Sequence, residues 1–112
     1  MTTLFEKIIR RELPADIVYE DELCLAFRDI NPQAPLHVLL VPKKPIDKLS
    51  GATATDQPLL GHLMLAAGKV ARQLGAGDTF RLVVNNGAEA GQSVFHLHLH
   101  ILAGRKLTWP PG

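Results

Sequence analysis

Apolar and polar residues alternate one for one through Phe95-His96-Leu97-His98-Leu99-His100-Ile101, the period of a half-buried strand. That alternation predicts Phe95, Leu97, Leu99 and Ile101 against a core and His96, His98 and His100 together on the opposite face. A different period governs the middle of the chain. Leu59, Leu60, Leu63, Ala67, Val70, Ala71 and Leu74 recur at helical spacing, with Pro58 suited to a first turn and Gly75 to an end, so a long helix is predicted within Gln57 to Leu74. Nearer the start, Leu4, Phe5, Ile8 and Ile9 form a shorter stripe behind the capping-box spacing Thr3-Leu4-Phe5-Glu6. This predicts a helix running to about Arg11, closed before Pro14.

Between and after the helices, runs rich in β-branched and aromatic residues are punctuated by proline and glycine. Ile17 to Tyr19 and Leu23 to Asp29 read as strands around the acidic turn Glu20-Asp21-Glu22; Leu36 to Val41 follows the loop Asn31-Pro32-Gln33-Ala34-Pro35. Phe80 to Val84 precedes the histidine strand, which comes last. Short polar connections favour an antiparallel meander with the helices covering one face, an α+β architecture spanning 1–112 as one domain.

Composition narrows the class. A chain of 112 residues with 46% hydrophobic content can bury a core, and its mean hydropathy is near zero. No apolar stretch approaches the roughly 18 residues of a spanning helix, and the first residues lack a basic flank and apolar signal run, so a cytoplasmic protein without membrane contact is expected. A single cysteine excludes an internal disulfide, and the setting of Cys24 in Leu23-Cys24-Leu25-Ala26-Phe27 is that of a small buried hydrophobe. With a formal net charge of +1 and only the short basic pairs Arg10-Arg11 and Lys43-Lys44, nucleic acid is not an expected partner.

Three imidazoles on one face would repel one another when protonated, and each would need a partner if buried, so a purely structural role fits them poorly. His62, on the predicted helix, reads by contrast as an ordinary satisfied side chain. The loop Asn85-Asn86-Gly87-Ala88-Glu89-Ala90-Gly91-Gln92-Ser93 places backbone amides and neutral donors directly before the triplet, a suitable cradle for an anion. It also has the chemistry of a hairpin turn. His37, on a neighbouring strand, can supply a fourth imidazole. Two histidines at i and i+2 can share one zinc ion, with His37 as a third ligand, but the full triplet fits poorly: at roughly 3.3 Å per residue, His96 and His100 stand about 13 Å apart on a straight strand, whereas zinc wants each nitrogen at about 2.1 Å. A serine-hydrolase elbow is also disfavoured, because Phe95 occupies the second glycine position of the Gly-x-Ser-x-Gly motif.

His96-Leu97-His98-Leu99-His100-Ile101-Leu102 resembles the alternating signature of the histidine triad superfamily. Further stretches, Ala26-Phe27-Arg28-Asp29-Ile30-Asn31-Pro32-Gln33-Ala34-Pro35, Val41-Pro42-Lys43-Lys44, Leu59-Leu60-Gly61-His62-Leu63-Met64, Gly91-Gln92-Ser93-Val94 and the ending Trp109-Pro110-Pro111-Gly112, are similar to its Hint branch. The resemblance implies a HIT-like fold, a five-stranded antiparallel sheet with one short and one long helix, dimerising into a continuous ten-stranded sheet. It implies a purine nucleoside phosphoramidase that needs no cofactor and binds AMP or GMP and their phosphoramidates. His98 resembles the nucleophile, His96 and His37 its orienting groups, His100 a phosphate contact and Ser93 a group beside the leaving amine. Asn85, Gly91, Gln92 and Ser93 match phosphate-contacting positions and Asp29 a ribose-binding acid. Leu4, Phe5, Ile8, Phe27 and Ile30 match an apolar base pocket. Asn86 departs from the pattern, standing where several members carry an acid.

Two other readings belong beside this one. A non-catalytic nucleotide-binding or scaffolding protein would not require the full triplet with Ser93. A dinucleoside polyphosphate hydrolase of the same superfamily is disfavoured by the terminal Trp-Pro-Pro-Gly and by Ser93.

Overall fold

Reciprocal capping starts the chain. Thr3 Oγ1 accepts from the Glu6 amide at 3.2 Å, while the Glu6 carboxylate accepts from the Thr3 amide at 3.1 Å. Helix α1, Leu4–Ile9, follows in this computed structural model, which describes residues 2–112; Met1, the first residue of the expected domain, lies outside the described residues. The helix stops two residues short of Arg11, which takes a left-handed φ of 63°.

Strands β1 (Ile17–Glu20), β2 (Cys24–Arg28) and β3 (Leu36–Pro42) form a meander, then α2 (Gln57–Gln73) crosses to β4 (Arg81–Val83), and β5 (Leu99–Ala103) returns. All neighbouring pairs are antiparallel, in the order β1-β2-β3-β5-β4. The expected simple meander is therefore corrected at its end. The long α2 connection carries the chain one position past β3, and the last strand fills the gap.

The helices lie on opposite faces, not on one. Cys24, Ala26, Val38, Leu40, Leu99 and Ile101 pack with Leu63, Ala67 and Val70 of α2, whereas Leu25, Phe27, Leu39 and Val41 pack with Phe5 and Ile8 of α1. Every residue from Cys24 to Phe27 and from Val38 to Val41 is apolar, so both faces of β2 and β3 need cover. Among the described residues, no helix is long and apolar enough to cross a membrane.

A second correction concerns the histidine strand. Only His100 lies in β5; His96 and His98 precede it in irregular backbone. The ladder from β3 to β5 ends at Leu40 with Leu99, because the Leu97 amide turns to the Ile46 carbonyl at 2.6 Å and the His96 ring takes the Pro42 carbonyl at 2.7 Å. The alternation nevertheless persists: Leu97, Leu99 and Ile101 enter the α2 core, while His98 turns towards Phe5 of α1. Phe95 is the exception, 44% exposed where burial was expected.

Candidate active site

Hydrogen bonds assign a tautomer to each imidazole. His98 Nδ1 lies 2.7 Å from the His96 carbonyl oxygen, which can only accept, so Nδ1 carries the proton and Nε2 keeps a free lone pair. His96 donates from Nε2 to the Pro42 carbonyl, leaving its buried Nδ1 without a partner. His37 accepts the Gln33 backbone N–H at Nδ1 (3.0 Å), and its Nε2–H donates to His100 Nδ1 at 2.9 Å. The proton of His100 therefore resides on Nε2. Asp29 Oδ2, 3.5 Å from His37 Nε2, completes the row.

Burial keeps the triplet neutral. It pushes the His96 and His98 imidazoles below their ordinary range, partly offset at each by a carbonyl acceptor. His100 falls to about 4, through burial first and then through its neighbours His98 and His37. The rings are close: His98 and His100 centroids are 5.0 Å apart, and the Phe5 ring stands edge-on to His98 at the same distance. An uncharged imidazole with a free Nε2 is the form that attacks an electrophile.

Beside it opens a cavity of about 360 Å³. Its lining includes the expected Leu4, Phe5, Ile8, Phe27, Asp29, Ile30, Ser93, His98 and His100. Leu13, Pro14, Ala15 and Leu39 line it as well. Leu39 could have been found from its register on β3, two residues beyond His37 on the same face; Leu13 to Ala15 carry no signal beyond following α1. Ile30 is 99% exposed at the rim, an unusual place for an isoleucine.

The remaining expected residues lie around this cavity. His37, Asn85 and His100 border an adjoining cleft with Arg81 and Arg105. Gly91, at φ 105°, sits where a Cβ would meet the Asn85 amide at 3.4 Å, and its backbone favours glycine in any case. Gln92, expected at a phosphate-contacting position, has its side chain engaged within the protein. Its buried side chain accepts from the Gly87 amide at 2.8 Å and donates to the Asp47 and Val94 carbonyls at 2.8 and 3.1 Å, while its own amide bonds Gly87. These bonds tie the loop before Ser93 to the segment after β3. Asn86 reinforces the tie by accepting the Ser50 amide at 2.8 Å. His62 lies outside the site, bonded to Asp21 at 2.7 Å.

Among the described residues, two groups have donor atoms close enough to share a metal ion, Asp29 with His37 and His100, and Asp21 with Cys24 and His62. The triplet itself does not converge on one point, since His96 is turned to the Pro42 carbonyl.

Known proteins resemble the chain along almost its whole length. The family described as the HIT domain matches residues 10–107. An uncharacterised HIT-like protein of Synechocystis is 71% identical, with 98% of this chain and 96% of that protein covered. A maize protein called a 14 kDa zinc-binding protein is 50% identical, covering 98% and 88% respectively. Among solved structures, a HIT family hydrolase from Legionella pneumophila superposes with a TM-score of 0.96 at 46% identity, over 99% of this chain and all of that one.

Proposed function

The chain belongs to the HIT domain family, and on that premise we propose that it is a purine nucleoside phosphoramidase of the Hint type. It hydrolyses the P–N bond of nucleoside 5′-phosphoramidates, and aminoacyl-adenylates, through a covalent nucleotidyl-histidine. One observation carries this reading: the proton of His98 is fixed on Nδ1 by the His96 carbonyl, so a neutral Nε2 faces a cavity sized for a nucleoside.

In the first step His98 Nε2 forms a bond to the α-phosphorus as the P–N bond breaks, and the departing amine takes a proton from the Ser93 hydroxyl, which recovers one from the water that attacks in the second step. Water then cleaves the N–P bond, releasing the nucleoside monophosphate and restoring His98. His100, Asn85, Ser93 and the Gly91 backbone hold the phosphate. Gln92 acts through the loop it braces. Phe5, Ile8 and Phe27 take the purine with Leu4 and Ile30 at the rim, and Asp29 receives the ribose hydroxyls. His37 fixes the His100 tautomer.

The same reading makes the protein a homodimer. Strand β4 leaves one edge unpaired, and α2 exposes Met64 and Leu65 to solvent, an arrangement that a second copy covers by continuing the sheet. No cofactor enters the reaction, so turnover should survive exhaustive chelation; activity restored only by stoichiometric zinc would contradict this mechanism.

The deciding experiment compares hydrolysis of an adenosine phosphoramidate, diadenosine polyphosphates and a simple ester. A marked preference for the phosphoramidate is expected. Preference for the polyphosphates would transfer the protein to the dinucleoside hydrolases, and nucleotide binding without any turnover would make it a binding protein.

A further inference from the structure

We infer that Asp21, Cys24 and His62 form a binding site for one divalent transition metal of the zinc class, on the opposite side of the sheet from the histidine cluster. The turn between β1 and β2 supplies Asp21, β2 begins with Cys24, and α2 brings His62 to Asp21 from 41 positions away. One donor atom from each lies within 4.8 Å of the other two. A thiol, an imidazole and a carboxylate make a donor set suited to zinc or cobalt and poorly suited to magnesium or calcium.

The spacing fits a tetrahedral ion. Ligands bound at zinc's usual bond lengths stand about 3.4–3.6 Å apart. Cys24 Sγ already lies 3.4 and 3.5 Å from the two Asp21 oxygens. His62 Nε2, at 2.7 Å from Oδ2, has to withdraw by about 0.7 Å to reach the lower end of that spacing, a small motion for a partly exposed side chain.

Surrounding groups hold the carboxylate ready. Asp21 Oδ1 accepts the Leu23 and Cys24 amides at 2.8 and 2.9 Å, and Tyr19 donates its hydroxyl to Oδ2 at 2.8 Å, an outer layer of the kind that orients metal ligands. The neighbouring cations are compensated, Lys43 by Glu20 at 2.8 Å and Lys44 by Asp56 at 2.6 Å. On binding, Cys24 gives its proton to solvent and His62 moves its proton to Nδ1. A dication, a thiolate and a carboxylate then sum to zero charge, which allows the ion to lie at the margin of the core. An open cleft lined by Leu23, Lys43, Lys44 and His62 borders the group on its His62 side.

Cobalt distinguishes this site from the other, because Cys24 is the chain's only cysteine and the group of Asp29, His37 and His100 contains no sulfur. Titrating the metal-free full chain with Co²⁺ should give one equivalent bound with a near-ultraviolet sulfur-to-cobalt charge-transfer band, discharged by zinc. Cys24→Ser should abolish the band. His62→Gln keeps a donor for Asp21 and so preserves the bridge between turn and helix, yet it should weaken cobalt binding at least on the order of tenfold. Cobalt bound without the charge-transfer band, no cobalt bound, or a His62→Gln affinity equal to that of the parent would each overturn the site and leave the three residues as a hydrogen-bonded bridge.

Discussion

Gln92→Ala tests whether the loop ahead of the histidines is held from within. The substitution removes three hydrogen bonds, to the Gly87 amide and the Asp47 and Val94 carbonyls, from a side chain only 3% exposed. Gly87 and Val94 are only partly buried and Asp47 is exposed, so water can reach the abandoned partners and the full penalty for orphaned groups does not apply. At about 1 kcal/mol net per bond, the loss comes to roughly 3 kcal/mol. For a domain of this size that lowers Tm on the order of 10 °C. Urea denaturation followed by circular dichroism measures it directly, and Gln92→Glu provides the control. Glutamate retains the acceptor for Gly87 but sets a carboxylate against two carbonyl oxygens, so it should rescue little. If Gln92→Ala cost less than about 1 kcal/mol while nucleoside monophosphate affinity fell tenfold or more, the side chain would serve the ligand and the bracing argument would be wrong.

The remaining predictions concern protons and assembly. Because burial holds His98 and His100 below their ordinary 6.5, the neutral nucleophile persists as pH falls, and the acid limb of log kcat/KM should lie below 6.5; a limb centred above it would contradict the neutral triplet. Stability shifts in the same window. The unfolded chain takes up these protons first, so stability should decline from pH 6.5 towards 4 and the His100 contribution should level off below about 4, as thermal melts across that range would show. Sedimentation should find a dimer at micromolar concentration, and a stable monomer would count against pairing through β4 and α2.

Much of this architecture was legible because each signal was local. The Thr3 to Glu6 capping box, the α2 stripe and the alternation from Leu97 to Ile101 each depend on neighbours a few residues apart, and each reappears in the structure. Strand order was not legible, since no local pattern states that β5 inserts between β3 and β4. The second helix face was readable in Leu25, Phe27, Leu39 and Val41, whose apolar side chains leave no polar face on β2 or β3. The irregular backbone at His96 and His98 depends on two distant acceptors, the carbonyls of Ile46 and Pro42, which periodicity cannot reveal. Gln92 was legible as a polar residue beside the site but not as a brace, because its partners at Asp47 and Val94 come from separate segments.

Trapping the intermediate tests the central claim most directly. Turnover of a radiolabelled adenosine phosphoramidate, stopped by rapid quenching without acid and mapped by peptide analysis, should yield AMP joined through phosphorus to His98, labile to acid and stable to base. His98→Ala should give no adduct and lower turnover by several orders of magnitude while AMP binding persists through Asp29 and the apolar pocket. An adduct on Ser93 or on another histidine, or near-normal turnover by His98→Ala, would contradict the account.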